Sequence, residues 1–122
     1  MSDAIVEIRD YTFEAETFEA YKAWAEEMAV PWLKANLNVI DFWIDCGIEA
    51  EVSGTNPQVS PNGQPNITWI IRWDSIEDRR ENFTKIMGSP EWKTIWAEHP
   101  NEKGYHLLAK YLHKLLESSK II

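Results

Sequence analysis

The sequence predicts an α+β domain. Its hydrophobic period changes from two residues to 3.6 and back, and three short runs rich in β-branched and aromatic residues are separated by helical stretches and one turn-rich segment. Residues 1–122 suffice for one domain that buries roughly two-thirds of its unfolded surface. Residues 4–12 alternate, with Val6 and Ile8 on one face of a strand and Glu7, Arg9 and Tyr11 on the other. From Thr17, placed to cap a helix, Phe18, Tyr21, Ala25, Met28 and Trp32 form one apolar stripe, and Pro31 is predicted to kink or divide it. A second strand is predicted over Val39 to Cys46, with Ile40, Phe42, Ile44 and Cys46 on one side and Asp41, Trp43 and Asp45 opposite.

Residues 47–66 hold three of the five glycines and three of the six prolines, which predicts a long loop or loose hairpin with Pro61-Asn62-Gly63 at its tip. Ile67 to Trp73 reads as a third strand. Ser75, with Asp78 as capping-box partner, opens a helix that turns Ile76, Phe83 and Met87 inward and stops at Gly88. Ser89-Pro90 then begins a short helix burying Trp92, Ile95 and Trp96. In the tail, Leu107, Leu108, Tyr111, Leu112, Leu115 and Leu116 follow a helical spacing. If the tail nevertheless ends in a strand, the plan is ferredoxin-like: a four-stranded antiparallel sheet with helices on one face.

The net charge of -8, without a Lys/Arg cluster, argues against nucleic acid and anionic membrane surfaces as partners. Cys46 is the only cysteine, which excludes an internal disulfide and a thiolate zinc cage and makes a reducing, cytoplasmic setting the expectation. Met1 to Arg9 lacks the pattern of a signal peptide. Seven tryptophans in 122 residues are unusual, and rings of that size fill cores, interfaces or ligand walls.

Glu7-Ile8-Arg9-Asp10-Tyr11-Thr12, Phe42-Trp43, Arg72-Trp73-Asp74-Ser75-Ile76 with Arg79, and Ser89-Pro90-Glu91-Trp92, in that order, resemble the NIPSNAP family from the first strand to about Trp96. The resemblance implies a ferredoxin-like monomer whose sheet meets a second copy to close a dimeric α/β barrel. It also implies a fourth strand around Lys110 to Glu117, against the helical spacing. The strand is the reading adopted, because a three-stranded sheet would leave the first strand an unpaired edge; Asn101 to Leu108 stays open to helix. Two departures from the family are the longer 47–66 loop and a tail without a proline-rich ending.

Alternation assigns Val6, Ile8, Phe42 and Ile44 to the face that helices cover, and Glu7, Arg9, Tyr11, Asp41, Trp43, Asp45, Thr68 and Arg72 to the other. That polar face is expected to be wet, internally paired, or the lining of a cavity between two subunits. On it Arg9 and Arg72 would pair as guanidinium forks for a carboxylate, enolate or phenolate, with Trp43 as a stacking wall and Trp69 a further substrate-binding residue. Tyr11, Asp45 and His113 are the candidates for moving a proton. The competing reading is an ion-pair network of Arg9 and Arg72 with Glu7, Asp41 and Asp45 that fixes the register of a dimer.

His99, His106 and His113 recur every seven residues, a spacing of ~10 Å on a helix and over ~20 Å on a strand, too long to share one metal ion. Each reads as a separate surface or loop histidine, with His113 placed to reach the barrel. Cys46 reads as a buried, inert thiol, and Arg79 as docking its helix through an ion pair. No GxGxxG, P-loop, HExxH or GxSxG pattern occurs.

Taken together, these features predict a homodimer that binds a small aromatic or acidic organic molecule, acting as a cofactor-independent isomerase, lyase or cyclase. No cofactor and no metal are expected. One alternative, by fold analogy, is a cofactorless or haem-dependent monooxygenase-like barrel, the haem version needing His113 over the pocket. The other is a non-catalytic interaction protein.

Overall fold

In the computed structural model, which describes residues 3–58, 60–61, 63–99 and 105–114, the alternating segments form one four-stranded antiparallel sheet. The elements are β1 (Ile5–Phe13), α1 (Ala15–Trp24), a π-helical turn (Ala25–Ala29), α2 (Val30–Asn36), β2 (Val39–Ile44), β3 (Ile67–Trp73), α3 (Ile76–Met87), α4 (Pro90–Ala97) and β4 (Tyr105–His113). The sheet order is β2-β3-β1-β4, so β1 and β3 are central and hydrogen-bonded on both sides.

The first helix starts earlier than its sequence signal. Glu14, rather than Thr17, is the cap residue; it makes no side-chain cap bond, and the Thr17 hydroxyl donates to the Glu14 carbonyl at 3.0 Å. Pro31 divides the helix as expected. Its missing N–H removes one i→i−4 bond, and the wide turn over Ala25–Ala29 lies immediately ahead of it. The caps of α3 and α4 follow the sequence: Ser75 and Ser89 accept from the N–H groups of Asp78 and Trp92.

The tail is a strand, and it begins at Tyr105, upstream of the expected Lys110. Its leucine spacing imitates a helix, but pairing along the whole of β1, from Phe13 opposite Tyr105 to Ile5 opposite His113, supplies the neighbour that β1 lacks on that side. Leu115 to Glu117, expected within this strand, lie outside the described residues, as does Asn62 of the expected loop tip.

Sheet polarity departs most from expectation. On β1 it is Ile5, Glu7 and Phe13 that are buried toward the helices, and in register with them on β3 Ile67, Trp69, Ile71 and Trp73 are buried too. Val6 and Ile8, expected beneath the helices, face the other way beside Arg72 and Ile70. Phe42 pairs with Trp69 on the helix side as expected, whereas Ile44 is exposed at the sheet edge. The second strand ends at Ile44, and Gly47 adopts a left-handed φ of 87°. Cys46 is therefore exposed in the loop rather than buried in the strand.

Asn66 closes the central ladder where the long loop returns. Its side-chain amide donates to the Phe13 carbonyl and accepts from the Phe13 N–H, both at 2.9 Å, while its backbone N–H donates to Tyr11. The side chain thus substitutes for a strand neighbour. Replacing Asn66 by Ala strands one donor and one acceptor, so urea unfolding should show a loss of about 2 kcal/mol. Asn66→Asp, which keeps the acceptor but turns a carboxylate oxygen toward the Phe13 carbonyl, should lose at least as much at pH 7.

Candidate functional site

The inverted polarity of β1 places a carboxylate in the interior. Glu7 is 0% exposed. It accepts from Arg9 Nη1 at 2.8 Å, from Arg79 Nε and Nη2 at 3.0 and 3.2 Å, and from the Trp73 indole at 3.0 Å. Burial by itself pushes the carboxyl pKa up; the hydrogen bonds and positive charges of Arg79 and Arg9 outweigh that and hold it below its ordinary value. One carboxylate between two guanidiniums leaves this cluster one positive charge in excess.

The excess charge lies beside an aromatic cavity of about 340 Å³ between the sheet and the helices, at the small end of the range for ligand sites. Arg9, Tyr11, Trp69 and Phe42 form its sheet wall, and Tyr21, Trp24, Phe83, Trp92, Trp96 and His99 its helical wall. The Arg9 Cζ is 5.7 Å from the Trp69 ring centre and 5.3 Å from that of Phe83, within cation–π reach of both. Arg9 Nε and the Trp69 indole both donate to the Tyr11 hydroxyl oxygen, at 3.1 and 3.4 Å. Burial pushes the Arg9 pKa down, but Tyr11 and Glu7 outweigh it and raise the value, so the guanidinium stays charged.

On the far wall the Trp24 indole donates to the Ile95 carbonyl at 3.0 Å, tying the first helix to α4. Trp92 and Trp96, with ring centres 6.1 Å apart, and His99 recur at i, i+4 and i+7 and so share one side of α4 and its end. The site is a fixed cation and a phenol facing a box of flat rings.

No protein-family model matches the sequence, and no curated protein does. Among solved structures, an uncharacterised NIPSNAP-like domain protein from Burkholderia xenovorans superposes with a TM-score of 0.68 at 14% identity, covering 94% of this chain and 88% of that one. The fold is of the NIPSNAP, ferredoxin-like type. A dimeric ferredoxin-like protein of unknown function from Thermobifida fusca is similar over 93% of each chain, with a TM-score of 0.51 and 13% identity. A candidate monooxygenase from Shewanella loihica PV-4 matches at 0.54 and 12% identity over 96% of this chain and 99% of that one. At these identities the likeness is one of fold.

Within this NIPSNAP-type frame, the residues singled out in the sequence divide into two groups. Arg9, Tyr11 and Trp69 come together in the cavity. Arg72 does not join Arg9: they project from opposite faces, and Arg72 is exposed and paired with Asp74 at 2.8 Å. The guanidinium that accompanies Arg9 is Arg79, which docks its helix on Glu7 as an ion pair, as the sequence led one to expect. Trp43 lies opposite Thr68 on the open face and is 46% exposed. Asp45 sits beyond β2, accepting from the Gly47 N–H at 3.2 Å. His113 is exposed at the end of β4, 3.4 Å from the Ala4 carbonyl, and does not line the cavity. Among the described residues the histidine that does is His99, read from the sequence as a surface or loop histidine; it lies just after α4 and is half-buried. Of the Trp92/Trp96 pair, taken as core, Trp92 packs against the core whereas Trp96 is 36% exposed; both line the cavity, and the unusual tryptophan count was the available signal.

Glu7 gives a pH dependence whose sign follows from its depressed pKa. Its contribution is complete above the unfolded carboxyl value of about 4.3 and is lost as pH falls through the lower folded value. Glu7→Gln should cost about 3–5 kcal/mol at pH 7, because two buried guanidiniums lose their counter-charge. In chemical denaturation from pH 7 to 3, the variant's stability should fall less steeply in the acid range than the parent's.

Proposed function

We propose that the chain acts as a homodimer, that each subunit binds a small planar aromatic anion in its cavity, and that it promotes proton transfer on that molecule without a bound cofactor. The observation that carries the reading is Arg9: a charged guanidinium, fixed by Glu7 and Tyr11, on the wall of a mainly aromatic cavity whose other lining cation is Lys93. Flat rings favour a flat ligand. A permanent cation in a low-dielectric surround favours an oxygen that is negative, or becomes so during reaction. Tyr11 and Trp69 complete this wall. Arg79 already makes two bonds to Glu7, which leaves Arg9 able to turn part of its fork to a ligand.

The homodimer is supported by the open face of the sheet. There Val6, Ile8 and Ile70 lie with Leu108, Leu112 and Trp43, the last three 53%, 44% and 46% exposed, which is an apolar surface of the kind that marks an interface. The dimeric protein from Thermobifida fusca shares the fold and supports the same reading. Trp43 and Arg72 are then interface residues rather than ligand contacts. The exposed thiol of Cys46 suits a reducing compartment such as the cytoplasm.

Tryptophan fluorescence tests the site with two probes, phenylpyruvate and uncharged phenylacetone. The parent chain should bind the acid more tightly. Arg9→Gln should weaken it by about 10-fold or more, the value of one charged hydrogen bond, and weaken the ketone much less. Equal affinity for acid and ketone in the parent chain would remove the anion site. Sedimentation velocity should return a dimer for the parent and for Arg9→Gln but a monomer for Leu112→Lys; a monomeric parent would remove the dimer.

A further inference from the structure

We infer that His99 is the proton-transfer group of this cavity and that its substrates are aromatic carbon acids, molecules with an acidic C–H between an aryl ring and a carbonyl group. The inference rests on the anion site of Arg9 proposed above and adds to it the group that moves the proton. Among the described residues, the titratable side chains that line the cavity are Arg9, Tyr11, Tyr21, Lys93 and His99. Arg9 is committed to its positive charge, and an ammonium or a phenol ordinarily titrates well above neutrality. An imidazole is the one side chain among them whose ordinary titration falls between pH 5 and 8, where a group can both take and return a proton.

The placement of His99 is specific. Its ring stacks on Trp96 at 4.2 Å and 25°, meets Trp24 edge-on at 4.7 Å and lies 5.6 Å from Tyr21. Its backbone N–H donates to the Trp96 carbonyl at 2.9 Å and so closes the last turn after α4. The clamp is itself anchored, since Trp24 donates to Ile95 of the same helix. Tyr21 bridges the two walls, 6.4 Å from Tyr11 on one side and in contact with the imidazole on the other. A flat molecule between the rings therefore has the cation at one side and the imidazole at the other.

The chemistry that this arrangement serves is enolisation. His99 takes the proton as the C–H bond breaks, the freed electron pair becomes the C=C bond of an enolate, and the negative charge passes to the oxygen that Arg9 faces. Return of the proton to oxygen gives the enol, and return to carbon regenerates the ketone. Both directions balance without oxidant, reductant or second substrate. Arg9 contributes most when the charge on oxygen is greatest, which is the condition for lowering a barrier rather than merely binding.

Deuterium exchange at the benzylic carbon of phenylpyruvate, followed by NMR in D2O against a buffer blank, tests the assignment. The parent chain should exchange faster than the blank, with a rate that rises across the range in which an imidazole loses its proton. His99→Phe keeps a flat ring in the clamp: fluorescence should show phenylpyruvate still bound, while exchange falls about 100-fold or more and the pH limb disappears. His99→Gln should behave alike. Exchange that survives in His99→Phe would make His99 a packing residue and overturn the inference. So would a parent chain that binds phenylpyruvate without exchanging it, in which case the anion site stands alone. A parent chain that does not bind phenylpyruvate overturns both.

Discussion

The buried carboxylate of Glu7 is the constraint on which the site depends. Removing a carboxylate and two guanidiniums from water costs several kcal/mol for each ion, and an attraction between unit charges at contact recovers about 4 kcal/mol at an effective dielectric of 20. A single pair would barely break even. Glu7 has two guanidiniums and an indole N–H on its two oxygens, and these interactions outweigh burial, as the direction of its pKa shift records. The cluster joins β1 to β3 through Trp73 and to α3 through Arg79. Arg79 also lies over the rings of Phe83 and Tyr111, at 4.2 and 5.3 Å, so β4 covers the cluster as well. Strand, helix and tail thus converge on one residue.

Its effect on the cavity is orientational. With Glu7 pointing in, alternation also turns Arg9, Tyr11 and Phe13 in, and the sheet wall acquires its cation and its phenol. Turned the other way, the same strand would line the chamber with Val6 and Ile8. The helical wall has a different origin. Trp24 ends α1, just before the π turn, and its bond to Ile95 brings α4 against it, so that five large rings and one imidazole line the helical side of the cavity.

Much of the fold was legible because its signals are local. The caps at Ser75 and Ser89, the stop at Gly88, the division at Pro31 and the third strand are each decided by a few neighbouring residues. The site was legible only in part, since the face a strand shows depends on partners far away in the chain. Polar residues in alternation with Val6 and Ile8 ordinarily point to solvent or to a wet cavity. Here that rule was overridden by Arg79 and Trp73, 72 and 66 residues distant, which satisfy a carboxylate that would otherwise be costly to bury. Arg9, Tyr11 and Trp69, singled out by residue type, nevertheless lie together on one cavity wall. Arg72, Trp43 and Asp45 were grouped with them by a parity argument, which carries alternate residues of a strand to one side together, and His113 through the fourth strand that the family resemblance implied. His99 was missed for a related reason: heptad spacing in the sequence drew attention to three histidines that the chain places apart, and away from the two tryptophans beside one of them.

Arg9 serves both the fold and the cavity, which raises the question of how one guanidinium can do both. The answer lies in the asymmetry of the cluster. Arg79 approaches Glu7 with two nitrogens and touches both oxygens, whereas Arg9 uses Nη1 on Glu7 and Nε on Tyr11. Removing the charge of Arg79 would leave Glu7 with one charged partner and take away the ion pair that ties α3 to β1. Removing that of Arg9 leaves the carboxylate paired one to one, with the indole of Trp73 still in place, and takes away the excess charge. Stability is therefore concentrated in Arg79 and the cationic character of the chamber in Arg9, although both contact the same carboxylate. A ligand anion entering beside Arg9 would bring the cluster to neutrality, two negative charges against two positive, which makes the occupied cavity electrostatically the more balanced state.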